Sequence, residues 1–178
     1  MRKWRKVLPM LVLPIFCTII IGLLMWWTYS RNAVWNDEVR IWMDSVKKSP
    51  NKSRPYNNVG SAFLKMQGVD LNQKMNMAAP WIIKAIELDK DSIEAHNNLA
   101  IILSNHGKYE EAIFHLKIAV KIRPYSWEIR NNMGLYLAAL GKYDEAVVQL
   151  KESIRINPYV ELSKKNLERI EARRNHGH

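Results

Sequence analysis

Residues 91–124, DSIEAHNNLAIILSNHGKYEEAIFHLKIAVKIRP, lie without a gap over residues 125–158, YSWEIRNNMGLYLAALGKYDEAVVQLKESIRINP. This 34-residue period constrains the fold more than any other feature of the chain. The matching positions include Asn97/Asn131, Asn98/Asn132, Leu99/Met133, Gly107/Gly141, Tyr109/Tyr143, Ala112/Ala146, Leu116/Leu150, Ala119/Ser153 and Pro124/Pro158. Each Gly-Lys-Tyr breaks its unit into two helices, and each proline closes the second. Small residues at Ala112, Ala119, Ala146 and Ser153 let antiparallel helices approach closely. Each unit keeps an apolar face that only the next unit can cover, so the expectation is all-α: a solenoid of antiparallel helix pairs.

The pattern L-[AG]…G-K-Y-[DE]-E-A…L…[AS]…P resembles the tetratricopeptide repeat. Carried backwards, the register finds a degenerate unit over 54–90, where Val59-Gly60, Phe63, Ala78, Ile82 and Ala85 take the roles of Leu99-Ala100, Leu103, Ala112, Leu116 and Ala119. Its halves are out of step by six residues, so an insertion is expected near 67–77, with a late start to the second helix so that Pro80 falls in a first turn. Residues 35–50 then fall in register as an isolated second helix, with Trp42 and Ser45 in the bulky and small roles. Leu162, Leu167 and Ile170 on a charged background predict a capping helix over 159–174, followed by a tail at 175–178.

No charged residue occurs from Val7 to Ser30. As a helix rising about 1.5 Å per residue, this run is long enough for a hydrocarbon core of about 30 Å, which predicts a transmembrane helix over 7–29. Trp4 lies before the run and Trp26, Trp27 and Tyr29 lie at its far end, as interfacial anchors do. A cleaved signal peptide is the rival, but its apolar region is shorter and is followed by small residues. Arg2, Lys3, Arg5 and Lys6 carry four positive charges in segment 1–6, which predicts a cytoplasmic N-terminus and a periplasmic or lumenal repeat region. The formal charge of +10 over 178 residues would suit anionic partners, yet the basic residues outside segment 1–6 are dispersed. Cys17 is the single cysteine, so neither an intramolecular disulfide nor a cysteine-based metal cluster can form.

No nucleophile elbow, P-loop, dinucleotide fingerprint or zinc-protease motif is present. His96, His106 and His115 are scattered in the repeat frame, and His176-x-His178, which could bind a metal weakly, reads better as a solvated tail, so no metal or cofactor is expected. Tyr109, Tyr143 and Trp42 occupy packing positions rather than stacking platforms, which argues against nucleic acid. One constellation stands apart from the scaffold. Asn98, Asn132 and Asn166 recur every 34 residues, Asn58 is their equivalent once the insertion is removed, and Asn57, Asn97 and Asn131 precede three of them. An amide both donates and accepts, so such a row can pair with the backbone of an extended peptide in a concave groove. This arrangement is similar to the asparagine ladder in the superhelical repeats of O-GlcNAc transferases. Asparagine is also frequent here in tetratricopeptide repeats generally, where it bonds within the scaffold, and residue type alone leaves both readings open.

The junction Tyr29–Glu38, with Ile41-Trp42-Met43-Asp44 and Lys48-Ser49-Pro50-Asn51, is similar to the stretch between the last transmembrane helix and the repeats in transmembrane-and-TPR O-mannosyltransferase-like proteins. The resemblance implies the non-catalytic end of that family, with extracytoplasmic repeats. The expectation is a non-enzymatic, membrane-anchored scaffold that binds protein or peptide segments. Its alternative is a substrate-recruiting or regulatory part of a polytopic membrane glycosyltransferase.

Overall fold

The computed structural model describes residues 17–26 and 38–176. Residues 17–26 are helical (α1) and exposed. The remainder of the expected 7–29 span, segment 1–6 and positions 35–37 lie outside the described residues. Among the described residues, no helix is long and apolar enough to cross a membrane. The chain divides into two compact units, Met1–Ile41 and Trp42–His178.

After α2 (Glu38–Lys48), the second unit is a succession of helix pairs: α3 (Ser53–Lys65) with α4 (Leu71–Leu88), α5 (Ile93–Asn105) with α6 (Tyr109–Ile122), α7 (Trp127–Ala139) with α8 (Tyr143–Ile156), and then α9 (Glu161–His176). Each helix from α3 onward packs on its neighbours in sequence. The starts of α5, α7 and α9 at Ile93, Trp127 and Glu161 keep the 34-residue period into the cap. Gly107 and Gly141 end α5 and α7 at φ +74° and +75°, a left-handed conformation that a Cβ would strain. Beside them, Lys108 N–H donates to Leu103 O and Lys142 N–H to Leu137 O, both at 3.0 Å, satisfying a carbonyl the helix end would leave orphaned. Glu110 and Glu111, and Asp144 and Glu145, sit in the first turns of α6 and α8, where the helix dipole favours negative charge.

Ala112, Leu116 and Ala119 of α6 and Ala146, Leu150 and Ser153 of α8 have no solvent exposure, and neither do Ala78, Ile82 and Ala85 of α4. Burying one such leucine contributes about 1.5–3 kcal/mol, and the alanine columns let the backbones close in. At Gly134 a Cβ would stand 2.7 Å from Leu150 Cγ and 3.1 Å from Ala146 O, so glycine there is a packing requirement.

Two expectations need correction. The six extra residues of the first repeat do not delay its second helix. Two lengthen the turn, 66–70 against 106–108, and four lengthen α4, which has 18 residues against 14 in α6 and α8. Asp70 fixes the start by accepting Gln73 N–H at 3.2 Å, and buried Met75 anchors the added turn. Pro80 therefore lies inside α4, on its exposed side, where the hydrogen bond it cannot make is lost. The cap is displaced as well: Asn157 holds a turn by accepting Tyr159 N–H, so α9 starts at 161 and continues through 176 into the expected tail.

Candidate functional site

The asparagines meet one another. Asn98 Nδ2 donates to Asn57 Oδ1 at 2.9 Å, Asn132 Nδ2 to Asn97 Oδ1 at 3.2 Å, and Asn166 Nδ2 to Asn131 Oδ1 at 3.0 Å. The second asparagine of each first helix thus bonds back to the first asparagine of the preceding one, tying α5 to α3, α7 to α5 and α9 to α7. The two ends of the described row differ from its middle. On α9, Lys165 replaces the acceptor. On α3, Asn58 Oδ1 accepts from Asn57 Nδ2 at 3.5 Å.

Burial divides the seven predicted residues. Asn57, Asn131 and Asn166 are only 6%, 3% and 7% exposed, so their amides serve the scaffold and are withdrawn from any ligand. Asn131 Oδ1 also accepts from Ser163 Oγ at 3.2 Å, and Ser163 in turn meets Ser153 Oγ at 2.9 Å. Asn58, Asn97, Asn98 and Asn132 are half-buried. In Asn98 and Asn132 the link uses one amide proton, leaving the carbonyl oxygen and the second proton as capacity for a ligand.

The structure also pairs residues that the sequence reading left apart. His96 Nδ1 lies 2.9 Å from His115 Nδ1, and His96 Nε2 lies 2.9 Å from Lys90 O. A carbonyl only accepts, so His96 donates through Nε2, and the short Nδ1–Nδ1 contact needs one of the two rings to donate and the other to accept. Burial pushes the His115 imidazole below its ordinary range, His96 adds to that, and Glu111 opposes it. The equivalent positions one repeat later hold Arg130, which donates to Gln149 at 2.8 Å. One repeat earlier they hold Tyr56 and Trp81, with ring centroids 6.1 Å apart. The repeat frame was the signal that could have found this column, since each member joins the two helices of one unit.

Two clefts open along the first helices of the pairs. One, of about 460 Å³, lies between the N-terminal ends of α3 and α5 and is lined by Arg54, Asn58, Asp89, Asp91 and Glu94 among others. The other, of about 420 Å³, crosses α5, α7 and α9 over Ile101, Leu135 and Tyr136, with Arg169 and Arg173 at its α9 side. Burial raises the Tyr136 hydroxyl above its usual pKa, and Tyr109 stands beside it with ring centroids 6.2 Å apart.

Comparison with known proteins agrees with this architecture. Models of the tetratricopeptide repeat match residues 82–114 and 128–157. Among curated proteins, Protein O-mannosyl-transferase TMTC3 of Homo sapiens is 26% identical over 97 residues, covering 54% of this chain and 10% of that protein. Protein O-mannosyl-transferase Tmtc3 of Drosophila melanogaster is 32% identical over 85 residues, covering 48% and 8%. The chain thus spans about a tenth of the length of these relatives. Among solved structures, MamA superposes with TM-score 0.67 at 18% identity, covering 83% of each chain. The first TPR of Spaghetti (RPAP3), bound to the HSP90 peptide SRMEEVD, gives 0.62 at 18% identity, covering 68% of this chain and 91% of that one. At such identities the likeness is one of fold. The helix pairs, their period and these matches agree on one conclusion: the chain carries tetratricopeptide repeats.

Proposed function

We propose that the repeat array is a docking scaffold that captures a peptide or protein segment on the face lined by α3, α5, α7 and α9, and that residues 7–29 hold it at a membrane with the repeats on the extracytoplasmic side. The observation that carries the docking role is the cleft across α5, α7 and α9, where an apolar floor is open to solvent in a fold whose core needs are already met. Asn98 and Asn132 supply the remaining amide capacity to a ligand backbone, while Asn57, Asn131 and Asn166 act only by keeping the repeats in register. The structural relative bound to the peptide SRMEEVD supports the use of this fold for peptide capture. Support for the anchor comes from the uncharged run after a basic N-terminus, and accessibility of introduced cysteines to an impermeant thiol reagent tests its orientation.

A photo-crosslinking residue at exposed Ala139, which lines the cleft, is the test of docking; the control places it at exposed Phe114, away from that cleft. In native membranes, discrete adducts from position 139 and none from 114 are the expected result. Adducts from 114 alone would refute the assignment of the face. The similarity to the O-mannosyl-transferases favours a second reading, in which the scaffold recruits substrate to a membrane glycosyltransferase. Adducts of position 139 with the enzyme's substrates, and co-purification of the enzyme itself, distinguish that reading.

A further inference from the structure

Arg169 and Arg173 stand one turn apart on α9, both exposed, beside a floor of Ile101, Leu135 and Tyr136. None of the residues lining that cleft is acidic. Elsewhere on the same helix, Lys164 pairs with Glu161 at 2.9 Å, Arg174 with Asp144 at 3.4 Å, and Glu171 with Lys151 at 3.3 Å. Arg169 makes only a long 3.4 Å contact from Nη2 to Asn166 Oδ1, and neither arginine has an ion pair among the described residues. Like charges four residues apart on a helix repel, so this pair is an arrangement that folding alone disfavours. Two planar guanidinium forks next to an apolar floor match a carboxylate adjoining a hydrocarbon or aromatic side chain. The cleft between α3 and α5 is acidic on balance, with Asp89, Asp91 and Glu94 on its walls against Arg54, and Glu94 paired with Arg123 at 3.0 Å, so it suits the same ligand less well.

Resting on the docking reading above, we propose that the cleft across α5, α7 and α9 takes the acidic part of a peptide, an Asp or Glu side chain beside a bulky apolar residue, with Arg169 and Arg173 holding the carboxylate. The charge difference between the two clefts then fixes which end of the ligand lies toward α9.

The probes are three fluorescein-labelled peptides, each acetylated and amidated so that no terminal charge contributes. The first is Gly-Glu-Leu-Glu-Phe-Glu-Leu-Gly, and the others carry Gln or Lys in place of Glu. Fluorescence anisotropy with the full chain in mild detergent should show the Glu peptide binding about tenfold tighter than the Gln peptide, with the gap narrowing at high salt. Arg169→Gln with Arg173→Gln should abolish the gap while leaving helicity unchanged. Arg169→Glu with Arg173→Glu should transfer the preference to the Lys peptide, a gain that a misfolded variant cannot give. Equal affinity for the Glu and Gln peptides, failure of all three to bind, or a gap that persists in R169Q/R173Q would each overturn the proposal. Crosslinking from Ala139 judges the docking face separately, because it uses native partners of any charge.

Discussion

Asn131→Ala isolates the structural role of the amide row. The substitution removes the acceptor for Asn166 Nδ2 at 3.0 Å and for Ser163 Oγ at 3.2 Å, in a place where Asn131 is 3% and Asn166 7% exposed. Ser163 keeps Ser153 as a partner, whereas the Asn166 amide loses its bond to the neighbouring repeat. A lost hydrogen bond contributes about 1 kcal/mol, and stranding a buried donor costs about 1–3 kcal/mol more, so a loss of roughly 2–4 kcal/mol is expected. Asn58→Ala should cost less, about 1 kcal/mol or under, since the bond it gives up is only a long 3.5 Å contact from Asn57 Nδ2 and water replaces its own half-exposed amide. Urea unfolding of the full chain in mild detergent, followed by far-ultraviolet circular dichroism, measures both. In the double variant Asn131→Ala/Asn166→Ala the stranded donor is gone, so its cost should fall short of the sum of the single variants. A cost for Asn131→Ala no larger than that for Asn58→Ala, or strict additivity in the double variant, would refute the reasoning.

Pro80→Ala should raise stability by roughly 1–3 kcal/mol, because the exposed site loses no packing and α4 regains a backbone hydrogen bond; a melting temperature at or below that of the wild type would argue against this account. Gly134→Ala forces Leu150 and the Ala146 carbonyl to yield, a strain of about 1–3 kcal/mol that a propensity gain of about 1 kcal/mol only partly offsets, so a lower unfolding midpoint is expected. The depressed pKa of His115 means that the unfolded chain takes up its proton first as the pH falls through 6.5. That stability is fully present above pH 6.5, is lost as the pH falls below it, and the loss levels off under the folded pKa. Melting curves across this range should show a slope that His115→Gln flattens, and an equal slope in the variant would exclude His115 as the source.

The array of helices was legible because its period is written in several independent residue types at once: glycine at the turns, alanine or serine in the columns, proline at the ends. The partition of the first-repeat insertion was not, because six residues can lengthen a turn or a helix, and only Asp70 capping at Gln73 and the burial of Met75 decide between them. Pro80 misled for a related reason, since its preference for a first turn is weaker than the anchors that set where α4 begins. For the asparagines, position was readable and partner was not: an amide facing a peptide backbone and one facing another amide satisfy the same donor and acceptor groups. Residues 96 and 115 could not be paired from histidine spacing, because a neighbouring helix, not periodicity along one helix, brings them together.

The asymmetry of the amide row gives the array a grammar of length. Each unit inside the row both offers an oxygen forward and extends a nitrogen backward, whereas α9 carries only the backward link, because Lys165 stands beside Asn166 where the earlier first helices have an asparagine. Duplicating an internal 34-residue unit would therefore lengthen the solenoid without any new interface chemistry. Duplicating the end would place a lysine where the incoming asparagine needs an oxygen, and that junction would be its weakest joint.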